Sequence, residues 1–195
     1  MLSTRRSRYL GAVAAATVVT AAGQETSSVS VEADSVSFDV PSGNSVFNDL
    51  SVSDGTVSIR AREGVATGRE LEAGTWQFNG EVEITFATAM LLADSATFRF
   101  AAGRLTEGEV LGRPAAFETS PAEGRMTFSG TAGLISYDRS RGLLTAREGA
   151  TFAYDDTRVR NCNWTYSLND GAFSGFANDD DKCVVSIAVS DKKTD

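Results

Sequence analysis

A short phrase recurs along this chain at intervals of 28 to 39 residues, and it constrains the fold more than any other feature. The two clearest copies are Ala33-Asp34-Ser35-Val36-Ser37-Phe38 and Ala93-Asp94-Ser95-Ala96-Thr97-Phe98. Weaker copies begin at Ala61, Ala132 and Asn161, and most copies are followed by a glycine turn and a second alternating run. A repeat of this length with strand periodicity predicts a unit of two short strands and a turn. Such units bury their apolar faces only by stacking around one shared core.

Apolar and polar residues alternate with a period of two in the runs that follow residue 28, as at Val57, Ile59 and Ala61. This period is typical of strands with one buried face. Turn-forming residues separate the runs at Pro41-Ser42-Gly43, Asp54-Gly55, Asn79-Gly80, Gly112-Arg113-Pro114, Arg141-Gly142 and Asn169-Asp170-Gly171. The sequence therefore predicts an all-β domain of a dozen or so short antiparallel strands. A sheet with so many strands is expected to fold over itself as a sandwich, roll or barrel.

The first 23 residues differ from the rest of the chain. Arg5, Arg6 and Arg8 precede an apolar run, and Ala21-Ala22-Gly23 supplies small residues at a cleavage site. This layout predicts a secretory signal peptide over residues 1–23, followed by a domain over 24–189 and a polar tail over 190–195. Removal of the peptide leaves 15 basic and 26 acidic residues, a net charge of −11. Such an acidic surface argues against nucleic-acid binding and against adhesion to an anionic membrane.

Motifs that carry enzyme chemistry are absent from the sequence. There is no histidine, no glycine-rich nucleotide motif and no paired cysteine spacing typical of a metal site. The run Asp179-Asp180-Asp181 and the pair Asp155-Asp156 are interpreted as solvated surface groups. The sequence therefore predicts no catalysis, no metal and no cofactor.

Cys162 and Cys183 are the two cysteines, 21 positions apart. In an exported protein two cysteines form a candidate disulfide. One intervening strand would place them roughly 10 Å apart in a plain meander, which is too far for a bond. The bond therefore requires the sheet to wrap so that alternate strands become neighbours, and two reduced, half-buried thiols are the alternative.

Aromatic residues recur at equivalent places in the repeats: Phe38, Phe78, Phe98, Phe117, Tyr137, Phe152, Trp164 and Tyr166. Two interpretations remain open at this point. The residues form an ordinary packed core, or two splayed sheets leave an apolar groove for acyl chains. In either case the two ends of the stack expose unpaired strand edges, which can add another molecule by strand pairing.

Several phrases resemble the OstA-like family. Trp76-Gln77-Phe78-Asn79-Gly80-Glu81-Val82-Glu83-Ile84-Thr85 is similar to that family's Phe-Thr-Gly-Asn-Val-x-Val-Thr, and Gly112-Arg113-Pro114-Ala115-Ala116-Phe117 is similar to its Gly-Lys-Pro-Ala-Thr-Phe. Phe128 to Asp138 and Val159 to Tyr166 follow in the family's order. The resemblance spans Val57 to Val189, and the family includes the periplasmic bridge protein of lipopolysaccharide export.

The resemblance implies an antiparallel β-jelly-roll, open at both ends, whose apolar interior shields the acyl chains of lipid A. It implies a periplasmic transport protein that stacks head to tail and joins inner-membrane to outer-membrane export components. Val57, Ile59, Phe117 and Tyr137 correspond to the family's groove-lining positions. Strand parity adds five further lipid-binding candidates, namely Phe78, Val82, Ile84, Trp164 and Tyr166.

One departure from the family is an additional repeat over residues 24–56, ahead of the matching region 57–189. It either extends the groove or caps it. Three alternatives to the transport protein stay open: an anchored inner-membrane component with an uncleaved amino-terminal segment, a structural β-repeat protein that binds no lipid, and a carbohydrate-active enzyme with a catalytic carboxylate pair.

Overall fold

The computed structural model describes residues 29–39, 41–68, 70–119, 127–177 and 182–187. The predicted signal peptide, the polar tail and Asp179-Asp180-Asp181 lie outside these residues. The described residues form thirteen strands and no helix: β1 (Ser30–Asp39), β2 (Asn44–Ser53), β3 (Ser58–Thr67), β4 (Gly74–Thr85), β5 (Ala89–Ala101), β6 (Arg104–Thr119), β7 (Phe128–Asp138), β8 (Leu143–Arg147), β9 (Thr151–Tyr154), β10 (Thr157–Arg160), β11 (Cys162–Ser167), β12 (Phe173–Ala177) and β13 (Val184–Ile187).

All strands belong to one antiparallel sheet whose order from β1 to β7 follows the chain. Beyond β7 the sheet divides into two branches. One continues through β8, β11 and β12, and the other through β9, β10 and β13. The predicted all-β, antiparallel class is therefore confirmed.

Strands β2 to β7 bend in the middle, and the bend is visible in which residues face inward. In β2 the buried positions change from Ser45 and Phe47 to Leu50 and Val52. In β7 they change from Ala132 to Ile135. An interval of three instead of two means that one extra residue turns the strand while its apolar residues stay inside.

The bends divide the sheet into two facing layers. The front layer contains residues 35–39, 44–48, 63–67, 74–79, 95–101, 104–111 and 134–138 together with β8, β11 and β12. The back layer contains residues 30–33, 50–53, 58–60, 82–85, 89–92, 115–119 and 128–131 together with β9, β10 and β13. The apolar faces of the two layers meet in one core.

The bends lie side by side and form a corner line, which contains Asp34, Asp49, Arg62, Gly80-Glu81, Ala93-Asp94, Gly112-Arg113-Pro114, Gly133, Glu148-Gly149 and Asn161. Four of its non-glycine residues have a positive φ, for example 51° at Glu81 and 55° at Asn161. All five copies of the recurring phrase begin at this line. The phrase therefore marks the corner in the strands that run from the back layer to the front layer.

Two details of the predicted strands were wrong. The first seven strands are long, with 10 to 16 residues each. Asn79-Gly80 and Gly112-Arg113-Pro114, predicted as turns, lie within β4 and β6. The error has a physical reason, because a strand bend and a hairpin turn need the same residues with permissive backbone conformations.

The disulfide joins Cys162 and Cys183, with the two Cα atoms 4.9 Å apart. Cys162 begins β11 in the front layer, directly after the corner residue Asn161. Cys183 precedes β13, which returns to the back layer and pairs with β10 so that Val184 lies opposite Arg160. The crosslink therefore ties the two layers together at the corner line, and the sheet wraps as the bond requires.

Candidate functional site

The nine predicted lipid-binding residues all lie in the interior of the roll. Each is at most 6% exposed and belongs to the same core cluster: Val57, Ile59, Phe78, Val82, Ile84, Phe117, Tyr137, Trp164 and Tyr166. The strands bring them together because each one is an inward position of β3, β4, β6, β7 or β11, apart from Val57, which directly precedes β3. The interior at these positions is filled by side chains.

Phe117 forms the centre of the carboxy-terminal half of the interior. Its ring lies 4.9 Å from the Trp164 ring and 5.1 Å from the Tyr166 ring, measured between centroids. Phe117 belongs to the back layer and the other two to the front layer. The Trp164 indole also donates a hydrogen bond to the Thr151 carbonyl at 3.0 Å, which fixes its orientation across the layers.

The remaining predicted residues occupy the amino-terminal half and one side of the roll. Ile59 and Ile84 lie directly opposite each other on β3 and β4. The Phe78 ring stacks on Trp76 at 5.8 Å. Tyr137 packs against Phe86 at 5.2 Å, again across the two layers. The nine residues thus line one continuous interior, although they do not all touch each other.

Several interior aromatic residues were missed by the sequence analysis, among them Phe47, Trp76 and Phe173. Trp76 opens the phrase that resembles the family, so strand parity with Phe78 could have found it. Phe38, in contrast, was expected in the interior and is 66% exposed on β1. This expectation was wrong because β1 is the edge strand of the described sheet, and no other described strand covers that end of the core.

The outer faces of both layers carry shallow cavities. One of about 420 Å³ lies on the back layer and is lined by Met90, Leu92, Glu118, Ser129 and Arg158 among others. Another of about 790 Å³ follows the corner line, where Arg62 pairs with Glu81. Both are bordered by charged side chains, which distinguishes them from the apolar interior.

A slot of about 250 Å³ lies on the side of the roll opposite the corner line. There the turns of the two layers face each other. The back layer contributes Thr56, Val57, Phe86, Ala87 and Thr88, and the front layer contributes Tyr137, Arg139, Gly142, Leu168 and Asn169. Two of the predicted lipid-binding residues, Val57 and Tyr137, therefore border an opening between the layers.

A buried ion pair crosses the two layers beside this slot. Asp54, in the turn between β2 and β3, lies 2.6 Å from the Arg139 guanidinium in the turn after β7. The Asp54 side chain is fully buried, whereas that of Arg139 is 27% exposed. The same carboxylate accepts hydrogen bonds from the backbone N–H of Leu105 at 3.0 Å and of Thr56 and Val57 at 2.9 Å. The sequence analysis saw only a turn at Asp54-Gly55.

Electrostatics at the slot follow from this geometry. Burial raises the pKa of Asp54, but the hydrogen bonds from Thr56, Val57 and Leu105 outweigh it and lower the pKa to about 2. Burial raises the pKa of the Tyr137 hydroxyl, with the nearby Arg139 charge acting in the opposite direction. The Asp54 carboxylate is therefore ionised at neutral pH.

Other candidate chemistry finds little support in the described ranges. No group of histidine, cysteine and carboxylate side chains that could hold a metal ion occurs there. Asp155 and Asp156 lie exposed in the turn between β9 and β10. Within the same ranges, no helix is long and apolar enough to cross a membrane.

Comparisons with known proteins give a structural match. No protein-family model matches the chain, and no curated protein sequence matches it. A solved structure of LptH from Pseudomonas aeruginosa superposes with a TM-score of 0.50 over 83% of this chain and 94% of LptH, at 13% sequence identity. LptH is described as the LptA-homologous periplasmic component of the conserved lipopolysaccharide transport device. The chain has an LptA-like fold. The predicted jelly-roll is thereby confirmed, and the sheet is open rather than closed.

Proposed function

We propose that this protein is a periplasmic carrier that binds lipopolysaccharide through its acyl chains and forms part of a bridge between the two membranes. The observation that carries the proposal is the continuous aromatic interior between two layers of an open roll, in the fold that LptH has. The lipid-binding residues are Val57, Ile59, Phe78, Val82, Ile84, Phe117, Tyr137, Trp164 and Tyr166.

The energetics favour binding through the apolar part of the lipid. The burial of apolar surface contributes roughly 25 cal/mol per Å², so several acyl chains supply enough free energy without a cationic contact. The net charge of −11 after loss of the predicted signal peptide leaves the lipid phosphates in solvent. Because side chains fill the interior, acyl chains have to separate the front and back layers as they bind.

The open ends of the roll support the partners proposed for it. Among the described strands, β1 has no neighbour on its outer side at one end, and β12 and β13 have none at the other end. These edges suit pairing with inner-membrane and outer-membrane export components of the same fold, and head-to-tail association with another copy. Catalysis, a cofactor and nucleic acid have no part in this function.

Photo-crosslinking from two adjacent residues of β6 tests the proposal. A photoreactive phenylalanine analogue at Phe117 points into the interior, whereas the same analogue at Glu118 points outward. We expect a lipopolysaccharide adduct in living cells from position 117 and none from position 118. Adducts from position 118 alone would place the lipid in the outer cavity and contradict the proposal. A protein isolated with residues 1–23 still attached would favour the anchored inner-membrane component instead.

The filled interior favours a second candidate, a structural β-repeat protein that associates through its edges and binds no lipid. The same experiment separates the two candidates. No adduct from position 117, together with crosslinks to another copy from the β1 edge, would support the structural protein.

A further inference from the structure

The side of the roll that carries the slot differs from the side that carries the corner line. Along the corner line the two layers are joined covalently, by the bent strands and by the bond between Cys162 and Cys183. On the slot side, the described residues join the layers only through contacts between turns. If the layers separate, they separate on the slot side.

Three contacts cross the layers at one place on that side. Asp54 of the back layer pairs with Arg139 and accepts the N–H of Leu105, both of the front layer. Arg139 also donates to the Thr56 hydroxyl at 3.4 Å. A carboxylate and a guanidinium in direct contact form the stronger kind of hydrogen bond, so this cluster closes the slot more firmly than apolar contacts of the turns alone.

The chemistry of the cluster suits repeated opening. Separation of a buried ion pair is costly when one charge stays buried without a partner. Here Arg139 is partly exposed already, so movement of the turns apart brings water to both charges. The recovered hydration offsets the lost attraction, which makes opening reversible.

The slot itself suits the carbonyl end of an acyl chain. Phe86, Tyr137 and Leu168 give it apolar walls that continue into the core. At its edge the Thr88 hydroxyl oxygen is buried and has no hydrogen-bond partner among the described residues. A hydroxyl in this position can donate to the ester or carboxyl oxygen that begins an acyl chain.

We propose that this slot is the port through which an acyl chain reaches the interior, and that the Asp54–Arg139 pair is the latch that keeps the port closed. The inference rests on the proposed lipid-binding function and assigns a route to it. The ligand class is an acyl chain that ends in an ester or carboxyl group.

Stopped-flow fluorescence with cis-parinaric acid, a fluorescent fatty acid, tests the latch. Asp54→Asn keeps a hydrogen-bond acceptor for the turn but removes the charge, and Arg139→Gln removes the opposite charge. We expect each variant to bind and release the probe about tenfold faster, as the loss of one charged hydrogen bond predicts. The double variant should be no faster than either single variant, since both changes open the same latch.

Two control variants separate the latch from general destabilisation. Glu81→Gln removes the exposed pair with Arg62 at the corner line. Thr97→Gly weakens β5 from its exposed outer face and leaves both the turns and the interior unchanged. Both should bind the probe at the wild-type rate. If the latch variants bind and release the probe at the same rates as the two controls, the slot is not the port for the acyl chain.

Hydrogen exchange on the unmodified protein covers the case in which the latch variants do not fold. The Leu105 amide, which donates to Asp54, should exchange several times faster when the protein is saturated with parinaric acid, whereas the central amide of Ile135 should not. Unchanged protection of the Leu105 amide in the loaded protein would contradict the proposed latch and leave the proposed lipid-binding function intact. Failure of the wild-type protein to bind any probe or lipopolysaccharide would overturn the proposed function as well.

Discussion

Asp54 illustrates how much a single side chain contributes to this fold. Its carboxylate organises the turn between β2 and β3 through Thr56 and Val57, and it reaches across to Leu105 and Arg139. Because the native hydrogen bonds require the ionised form, the pKa of Asp54 falls to about 2 from its ordinary 3.8. A lowered pKa in the folded state stabilises the protein wherever the carboxylate is ionised.

We expect this contribution to be pH-dependent with a defined sign. It should be fully present above about pH 4, decline as the pH falls toward about 2, and amount to about 2 kcal/mol. Asp54→Asn should therefore lower the free energy of urea-induced unfolding near neutral pH, with a difference that shrinks in acid. A constant difference from neutral to acidic pH would contradict the electrostatic origin. Asp94→Asn, which removes the exposed pair with Arg113, is the control and should change little.

At the scale of elements, the strands after β7 depend on the crosslink. β13 is a short strand of four residues that, among the described strands, pairs only with β10. The bond between Cys162 and Cys183 closes a loop of 21 positions and holds β13 next to the corner. Restriction of the unfolded chain by a loop of this size is worth about 3 kcal/mol.

We expect the double substitution of Cys162 and Cys183 by serine to lower the free energy of unfolding by about 3 kcal/mol. Hydrogen exchange should show the loss of protection first in β13 and β10, while β3 and β4 keep theirs. The reduced wild-type protein is the matched control and should behave like the double variant. Equal unfolding midpoints for oxidised and reduced protein would show that the crosslink adds no stability.

At the scale of the whole molecule, both ends of the sheet that the described residues form are open. Val36 and Phe38 on β1 are 48% and 66% exposed, and Val185 and Ile187 on β13 are 59% and 69% exposed. Exposed apolar side chains next to unpaired backbone groups promote the addition of another sheet. One end differs from the other, so the self-association proposed above would be head to tail and would not close on itself.

We expect the protein to self-associate as its concentration rises, and lysine at positions 36 and 38 to weaken this association by at least tenfold. Sedimentation velocity measures the effect. Leu111→Lys is the control. Leu111 is an exposed apolar residue on β6, away from both edges of the sheet, and this variant should associate like the wild type. Equal association of the edge variant and the wild type would contradict pairing through β1.

The sequence could predict much of the fold and little of the slot. Alternation marked strands such as β3 and β4, because inward and outward positions differ strongly in hydropathy there. The corner line could not be recognised, since Asn79-Gly80 has the same composition as a hairpin turn. The latch depends on Asp54 and Arg139, which are 85 positions apart in the sequence. No local sequence pattern connects these two residues, because they come into contact only when the front and back layers pack against each other.

The corner line also has a geometric consequence. Each hairpin keeps the same bent cross-section, so an additional hairpin changes the length of the molecule and leaves its width unaltered. With strands about 4.8 Å apart, every hairpin contributes roughly 10 Å, and the ten strands in the main order span roughly 43 Å. The hairpin of β1 and β2, ahead of the region that resembles the OstA-like family, thus lengthens the molecule by one hairpin and leaves its cross-section the same.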